Sequence, residues 1–334
     1  MRCDVCIIGS GPAGITLARE FMGTTLRTIL LESGGRKETE QSRDLLRGYV
    51  QPPGSHEPLE EGRRRQFGGT SEAWGGRCVP LDEIDFERRR WIPHSGWPVG
   101  ASVVSAYLPR AITLCEAGPA VFDAAEAFPE AQLEMILGFD GSDVTTSRLE
   151  RWGPPTKFAA RYGKSLEQAA GTMVLLNATA FHLDIDASSR RIQAVEVATT
   201  AQHRFKIRAG IVVLACGGLE NARLLLASND VVKPGIGNES DNVGRFYMAH
   251  PEGVFSFVRL RDPHHGLIYD FERHAGVYVR RRFWLSPEVQ RREEIGNGVA
   301  SLFRPYSHES LQTNGLLSAV FLAKFLLHAK TLRG

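Results

Sequence analysis

Cysteine is scarce in this sequence. Five cysteines in 334 residues are too few for the disulfide framework that stabilises small secreted domains. Two of them, Cys3 and Cys6, have C-x-x-C spacing, but they lie within a predicted strand. Residues three apart on a strand face opposite sides, so we expect two buried apolar side chains there, with no redox role. No metal site is predicted.

Excess charge of either sign is also absent. The formal net charge is +2, which gives no strong field to attract nucleic acid. Two short basic clusters, residues 63–65 and 88–90, each contain three consecutive arginines. We interpret both as solvated loop faces. The composition therefore predicts no nucleic-acid partner.

No hydrophobic run is long enough to cross a bilayer. The apolar stretch at residues 316–329 includes Lys324, and it is shorter than the roughly 20 residues that a spanning helix needs. It is interpreted as a buried or interfacial helix, with a membrane-surface anchor as the alternative. A membrane partner is not expected.

A glycine fingerprint stands at the start of the chain. Residues 5–8 are apolar and lead directly into Gly9, Gly11 and Gly14 with G-x-G-x-x-G spacing. This pattern is typical of a strand, turn and helix that bind a dinucleotide. The first glycine permits the turn, the second leaves space for a pyrophosphate, and the third lets the helix pack closely on the strand.

The fingerprint continues into a second strand. Residues 27–31 are mostly apolar and end at Glu32, where an acid can accept hydrogen bonds from the ribose hydroxyls of an adenosine. The fingerprint starts almost at Met1, which leaves no room for a secretory signal. This predicts a cytoplasmic protein.

A second glycine-rich segment occupies residues 67–77. It combines four glycines with Thr70, Ser71 and Trp74, and such a segment is costly to order unless the backbone must approach a ligand. One interpretation is a loop that lies against a cofactor and presents its N–H groups to phosphate or a flavin ring. The alternative is a glycine-rich surface loop.

The middle of the chain alternates in the manner of strands. Residues 157–170 predict a helix that leads into a strand at 173–176. Three further short strands are predicted at 180–186, 192–199 and 205–207. They suggest an antiparallel meander laid against a larger sheet.

A second strand, glycine and helix pattern covers residues 211–227. The apolar strand ends near Ala215 and Gly217 and opens a helix, an arrangement that brings backbone close to an anion. It lies about two hundred residues after the first fingerprint. A simple nicotinamide dehydrogenase does not need this repeat, whereas an FAD-binding chain returns to its first sheet after an excursion. The pattern favours FAD over NAD.

His250 is a candidate for the chemistry of the site. It lies in the segment 242–251, directly before Pro251, and could act as a base or ligand. The alternative is a structural histidine. Residues 254–260 then alternate like the first strand of a second, largely antiparallel domain.

Four blocks together carry a resemblance to a known family. They are residues 9–14 with Glu32, residues 67–77 with Pro80, Asp85 and Phe86, residues 215–227, and residues 242–251. In this order they resemble the glucose-methanol-choline family of FAD-dependent oxidoreductases, especially its sugar-oxidising bacterial branch. Residues 94–98 also look like that branch.

The resemblance implies an α/β fold: a Rossmann-like, two-dinucleotide-binding fold for FAD, with an inserted β-meander and an incomplete antiparallel-sheet substrate domain. The FAD-binding domain would be discontinuous, at 1–100 and 160–250. The substrate or cap domain would comprise 101–159 and 251–334.

The resemblance also assigns cofactor-binding residues. They are Gly9, Gly11, Gly14, Glu32, Gly69, Thr70, Ser71, Trp74, Gly75, Ala180, Ala215 and Gly217. In some relatives a histidine just before the tryptophan of the second glycine segment is bonded to the flavin. That position is Ala73 here, so the resemblance predicts noncovalent FAD.

The implied reaction is oxidation of a CH–OH group of a sugar or other alcohol, with hydride transfer to flavin N5 and electrons passed to oxygen or a carrier. Family members place the catalytic histidine in a C-terminal segment. Nothing after Pro251 resembles that segment, and His308 and His328 lack its context, so we expect it to be missing or supplied by a partner polypeptide. No catalytic residue is assigned beyond the candidate His250. The alternatives are a non-catalytic flavin-binding remnant or subunit of a larger complex and, third, an NAD-dependent dehydrogenase.

Overall fold

The computed structural model describes residues 1–131, 134–139, 141–258 and 266–302. The apolar stretch at 316–329, His308 and His328 lie outside these residues. Nine α-helices, one short 3-10 helix at Gly69–Glu72 and thirteen strands are described within them. In chain order they are β1 (Arg2–Ile8), α1 (Pro12–Glu20), β2 (Thr28–Leu31), α2 (Glu40–Asp44), β3 (Arg77–Cys78), α3 (Glu83–Phe86), α4 (Ala101–Ser105), α5 (Leu108–Leu114), α6 (Ala124–Ala127), β4 (Val144–Thr145), β5 (Leu149–Trp152), α7 (Phe158–Gln168), β6 (Thr172–Leu175), β7 (Ala178–Ile185), β8 (Ile192–Thr199), β9 (Arg204–Leu214), α8 (Gly218–Ala227), β10 (Glu272–His274), β11 (Val277–Arg281), β12 (Phe283–Leu285), α9 (Pro287–Arg292) and β13 (Val299–Ala300).

The described residues form two compact units. The first comprises Met1–Ala120, the described part of 151–260 and Ala275–Tyr278. The second comprises the described residues of 121–150, 266–274 and 279–302. The domains predicted at 1–100 with 160–250 and at 101–159 with 251–334, together with the functions assigned to them, stay predictions.

A six-stranded sheet organises the first unit. Its strand order is β6-β2-β1-β9-β8-β7. The pairs β6–β2, β2–β1 and β1–β9 are parallel, whereas β9–β8 and β8–β7 are antiparallel. This mixture of a parallel core and an antiparallel meander confirms the predicted α/β fold class.

Strands β1 and β2 are buried on both faces, as parallel strands in α/β proteins are. On one face, Val5, Ile7 and Leu30 pack with residues of α1 and α7. On the other face, Cys6 and Leu31 pack with the meander and α8. Fully burying a side chain the size of Leu30 stabilises the fold by roughly 1.5–3 kcal/mol, so the two cores fix the register of β1 and β2.

The meander differs from the prediction in one respect. The strand predicted at 205–207 and the apolar strand predicted from residue 211 to near Ala215 are a single strand, β9, of eleven residues. Its first part, from Arg204 to Ile207, pairs with β8, and the remainder pairs with β1. Residues 208–210, which lie between the two predicted strands, belong to the strand. The meander is therefore part of the main sheet and not a separate layer laid against it.

The two cysteines of β1 also differ from the prediction. The N–H groups of Asp4 and Val5 both donate to the carbonyl oxygen of Arg27, at 2.9 and 3.2 Å, a pattern typical of a β-bulge. A bulge breaks the strict alternation of a strand. As a result Cys3 and Cys6 lie in the same core cluster, and the expectation that they face opposite sides is wrong.

The second unit is built from short antiparallel strands. Strand β12 pairs with both β4 and β13, with Trp284 opposite Thr145 and Val299. Two ion pairs reinforce it: Arg281 lies 2.8 Å from Glu272, and Arg282 lies 2.9 Å from the fully buried Glu150. No helix in the described ranges is long and apolar enough to cross a membrane.

The strand predicted at 254–260 is wrong for its described part. Residues 254–258 have no regular secondary structure, and Phe255 and Phe257 are both 86% exposed. A segment with alternating apolar residues forms a strand only where a second strand pairs with its backbone. The alternation within residues 254–258 carries no information about whether such a second strand is present.

Candidate functional site

A cavity of about 490 Å³ lies at the carboxyl ends of the parallel strands in the first unit. The turns that leave β1 and β9 and open α1 and α8 form its floor, with Gly9, Pro12, Gly217 and Gly218 among the lining residues. The first N–H groups of a helix have no intrahelical acceptor, and the helix dipole is positive there. Two helix N-termini at one cavity make a site suited to an anion such as a pyrophosphate.

The three fingerprint glycines have different structural roles. A Cβ added to Gly14 would lie 1.9 Å from the carbonyl oxygen of Gly9, so this position requires glycine for helix α1 to pack on β1. Gly9 has a φ of +103° and would place a Cβ 2.5 Å from the carbonyl oxygen of Ala215. By contrast, a Cβ on Gly11 would meet nothing within 4 Å. Gly11 therefore leaves open space for a ligand.

The structure groups most of the predicted cofactor residues around this cavity. Eight of them line it: Gly9, Gly11, Glu32, Gly69, Thr70, Ala180, Ala215 and Gly217. Gly14 does not line it and acts instead in the packing of α1. Their contacts with a cofactor stay predictions.

Ser71, Trp74 and Gly75 are not among the residues that line the cavity. The Ser71 hydroxyl donates to the carbonyl of Gly68 at 2.7 Å and accepts from the N–H of Phe158 at 3.2 Å, at the start of α7. The Trp74 indole donates to the carbonyl of Thr156 at 3.0 Å. These bonds hold the glycine-rich loop against neighbouring chain, and the predicted flavin contacts of the three residues stay predictions.

Glu32 is buried at the end of β2 and is held by several donors. Its Oε2 accepts hydrogen bonds from the backbone N–H of Ser10 at 3.1 Å and the Ser10 hydroxyl at 2.7 Å. Its Oε1 accepts one from the N–H of Gly34 at 2.8 Å. Burial raises the pKa of this carboxyl, and these donors, with the charge of Arg65, oppose the rise. The sequence pattern did not identify Ser10, which positions the carboxylate.

We expect Glu32→Gln to lower the free energy of unfolding by about 1–3 kcal/mol, because the amide N–H₂ must face a buried donor that now lacks an acceptor. FAD binding should weaken in the same variant. Urea unfolding and an FAD titration measure the two effects. Glu40→Gln, at the exposed start of α2, is the control: it should lower the unfolding free energy by no more than about 1 kcal/mol and leave FAD binding unchanged. An unchanged unfolding free energy in the Glu32 variant would contradict the proposed positioning.

An ion-pair network on the cavity wall was missed by the sequence analysis. Glu220, in the first turn of α8, lies 3.2 Å from Arg63, 3.0 Å from Arg65 and 2.7 Å from Arg223. The interpretation of residues 63–65 as a solvated loop face is wrong, because Arg65 is only 9% exposed and all three arginines line the cavity. Three consecutive arginines do not by themselves reveal a buried carboxylate about 155 residues later in the chain.

Cys216 also lines the cavity, but it is not a nucleophile at neutral pH. Burial and the nearby carboxylates of Glu32 and Glu220 raise the pKa of Cys216 to about 11. Its thiol donates to the carbonyl oxygen of Ile8 at 3.1 Å. The group therefore stays a neutral thiol that helps to join β1 and β9.

His250 is exposed and does not line the cavity. None of the described residues that line it is a histidine. A lining residue, Tyr247, contacts a histidine: its hydroxyl is 2.8 Å from Nε2 of His56. The role of His250 stays a prediction.

Comparison with known proteins gives one curated relative and several solved structures. The chain is 24% identical over 332 aligned positions to the fructose dehydrogenase large subunit of Gluconobacter japonicus, covering 77% of this chain and 60% of the relative. The chain thus spans less than two thirds of that relative's length. No family model matches.

Among solved structures, pyridoxine 4-oxidase from Mesorbium loti is 18% identical, with 68% of this chain and 52% of that chain covered and a TM-score of 0.44. A formate oxidase is 15% identical, with 68% and 48% covered and a TM-score of 0.43. Both TM-scores lie below 0.5. The curated relative confirms the resemblance of this chain to the glucose-methanol-choline oxidoreductases, and it fits their sugar-oxidising bacterial branch.

Proposed function

We propose that this chain binds FAD noncovalently and forms the cofactor-binding part of an oxidoreductase that acts on CH–OH groups of sugars or other alcohols. The observation that carries the proposal is the cavity where two helix N-termini meet beside Glu32. The fructose dehydrogenase relative supports the oxidoreductase class and the sugar substrate.

The residues around the cavity fit the adenosine diphosphate half of FAD. Open space lies beside three glycines of the cavity, because an added Cβ would meet nothing within 4 Å at Gly11, Gly217 or Gly218. The N-termini of the helices that follow these glycines favour binding of a pyrophosphate. Oε2 of Glu32 already accepts two hydrogen bonds from Ser10, whereas Oε1 accepts one from the N–H of Gly34. Each carboxylate oxygen has about two acceptor sites, so Oε1 can accept a hydrogen bond from a ribose hydroxyl. Arg63 and Arg65 keep the carboxylate of Glu220 neutralised near the phosphates.

When bound, FAD supplies the hydride acceptor, and the protein contributes binding, orientation and electrostatics. Oxidation of an alcohol also needs a base within hydrogen-bond reach of the substrate hydroxyl. We propose that a histidine supplies this base, either from this chain outside the cavity or from a partner polypeptide. The electrons then pass to oxygen or to a carrier.

The visible absorption spectrum of the purified chain tests the cofactor. We expect flavin absorption bands, with the flavin released into the supernatant after acid precipitation, because Ala73 offers no side chain for a covalent bond. A flavin that stays in the pellet would contradict noncovalent binding. A colourless protein that takes up a nicotinamide cofactor but not FAD would support the NAD alternative instead.

A second candidate is a flavin-binding subunit that has no turnover of its own. It is favoured by the lack of histidine among the described lining residues and by the relative being a large subunit. Sugar oxidation by the chain alone, measured with an artificial electron acceptor, separates the two candidates. Location in the cytoplasm stays a prediction.

A further inference from the structure

Two cysteines that are far apart in sequence approach the same segment of the first unit. Cys78, in β3, pairs across the ladder with Arg151 of β5. Cys115 follows α5, and a Cβ on Gly153 would lie 2.5 Å from its carbonyl oxygen. The residues that contact Cys78 and Cys115 are therefore only two positions apart along one stretch of backbone.

Close backbone packing holds this arrangement in place. The N–H of Gly153 donates to the carbonyl of Gly76 at 3.0 Å, and a Cβ on Gly76 would lie 2.5 Å from the carbonyl oxygen of Gly153. The Thr156 hydroxyl donates to the carbonyl of Cys115 at 3.1 Å. The Cys78 thiol itself lies 3.7 Å from the carbonyl of Gly76. Both cysteines are thus fixed against the segment 151–156.

Because they lie against the same segment, the two side chains influence each other's ionisation. The interaction with Cys78 lowers the pKa of Cys115, and the interaction with Cys115, together with burial, raises the pKa of Cys78. The buried Arg151 guanidinium adds positive charge beside Cys78. Both cysteines are half-buried, unlike Cys3 and Cys6, which are buried.

We propose that Cys78 and Cys115 form a redox-active dithiol that closes to an intramolecular disulfide. The bond would join the end of the glycine-rich loop to the end of α5. The proposal rests on the contacts above and is independent of whether the chain binds FAD.

The oxidant is a low-molecular-weight disulfide, and the reaction is thiol–disulfide exchange. The Cys115 thiolate attacks one sulfur of the external disulfide, forming a mixed disulfide and releasing one thiolate that takes up a proton. Cys78 then loses its proton and attacks Sγ of Cys115, releasing the second external thiol. Two protein thiols are oxidised by two electrons, and one external disulfide is reduced to two thiols.

The test is a redox titration of the purified full-length chain in glutathione buffers. After quenching in acid and blocking with N-ethylmaleimide, mass spectrometry of the non-reduced digest quantifies the linked peptide. We expect the Cys78–Cys115 peptide to become the main form at oxidising ratios and to disappear on reduction. Cys78→Ser should trap glutathione on Cys115, whereas Cys115→Ser should leave Cys78 mostly unmodified.

Cys3→Ala is the matched control, and its yield of linked peptide should equal that of the unaltered chain. Circular dichroism establishes that each variant is folded. Two results would overturn the proposal. One is that both thiols remain free in the folded protein under oxidising conditions that link them in the denatured chain. The other is that either cysteine links to a different partner.

Discussion

In the Gly11→Ala protein we expect the affinity for FAD to fall by about 100-fold, or about 2.7 kcal/mol, while the fold is retained. The backbone at Gly11 has a φ of −68°, which alanine adopts without strain, and the added Cβ would meet nothing within 4 Å. The methyl group would instead occupy the space that the proposed pyrophosphate needs. Titration of the apoprotein with FAD, followed by flavin fluorescence, measures the affinity.

Gly14→Ala is the matched variant. The same added methyl group is expected to lower the stability of the fold at Gly14, whereas at Gly11 it is expected to lower the affinity for FAD. Its Cβ would lie 1.9 Å from the carbonyl oxygen of Gly9, so α1 must move away from β1, at a cost of about 3 kcal/mol or more. Gly11→Ala should cost less than about 1 kcal/mol, as a change at a helix N-cap. Urea unfolding of the apoproteins checks this contrast. Unimpaired FAD binding by a folded Gly11→Ala protein would contradict the proposed cofactor site.

The second large effect is expected for Glu220→Ala, which removes the carboxylate that Arg63, Arg65 and Arg223 share. The side chains of Glu220 and Arg65 are only 14% and 9% exposed. Removing one partner of a buried ion pair leaves the others uncompensated and costs about 3–5 kcal/mol. We therefore expect the unfolding free energy to fall by about 3 kcal/mol, measured by urea unfolding at neutral pH.

Glu288→Ala is the control for this prediction. Glu288 occupies the first turn of α9, as Glu220 occupies the first turn of α8, but it is exposed. A carboxylate at an exposed helix N-terminus contributes roughly 0.3–1 kcal/mol, so this variant should lose no more than that. Equal losses in the two variants would show that the arginine network adds nothing to stability.

The effect of Glu220 should depend on pH in a defined direction. Burial acts to raise the pKa of Glu220, but the hydrogen bond from Arg223 and the charge of Arg65 outweigh it, so the pKa is lowered in the folded state. A group with a lowered pKa stabilises the fold above its unfolded-state pKa. That stability is lost as the pH falls through the folded-state value. The difference between the unaltered chain and Glu220→Ala should therefore shrink in acid.

Local sequence was sufficient to predict the parts of the site that depend on backbone geometry. The turn requires glycine at position 9, the open ligand space at position 11 and the close helix contact at position 14. Each of these requirements can be recognised from the spacing of a few neighbouring residues. Glu32 was identified for the same reason, because it directly follows a short apolar strand. The glycines and Glu32 belong to one βαβ unit, and the sequence pattern of such a unit extends over only about 30 neighbouring residues.

What the sequence could not predict depends on partners that are distant in the chain. Arg65 is buried because Glu220 approaches it, and nothing near residue 65 indicates that carboxylate. The bulge at Asp4 was hidden because a bulge is a property of the pairing between strands. Ser71 and Trp74 bond to residues near α7, about 80 positions later in the chain. In each case the structural role of the residue depends on a contact with a distant part of the chain, and the residues next to it in sequence do not indicate that contact.

The pairing of β1 with β9 has a consequence for the nascent chain. Ile8 pairs with Leu214, so β1 emerges from the ribosome about two hundred residues before its partner. At roughly 5–20 residues per second, the apolar edge of β1 waits on the order of 10–40 s for that partner. During this interval only β2, of its two neighbours in the sheet, has been synthesised. The opposite edge of β1 is then unpaired, and an unpaired strand edge is a template for pairing with another chain.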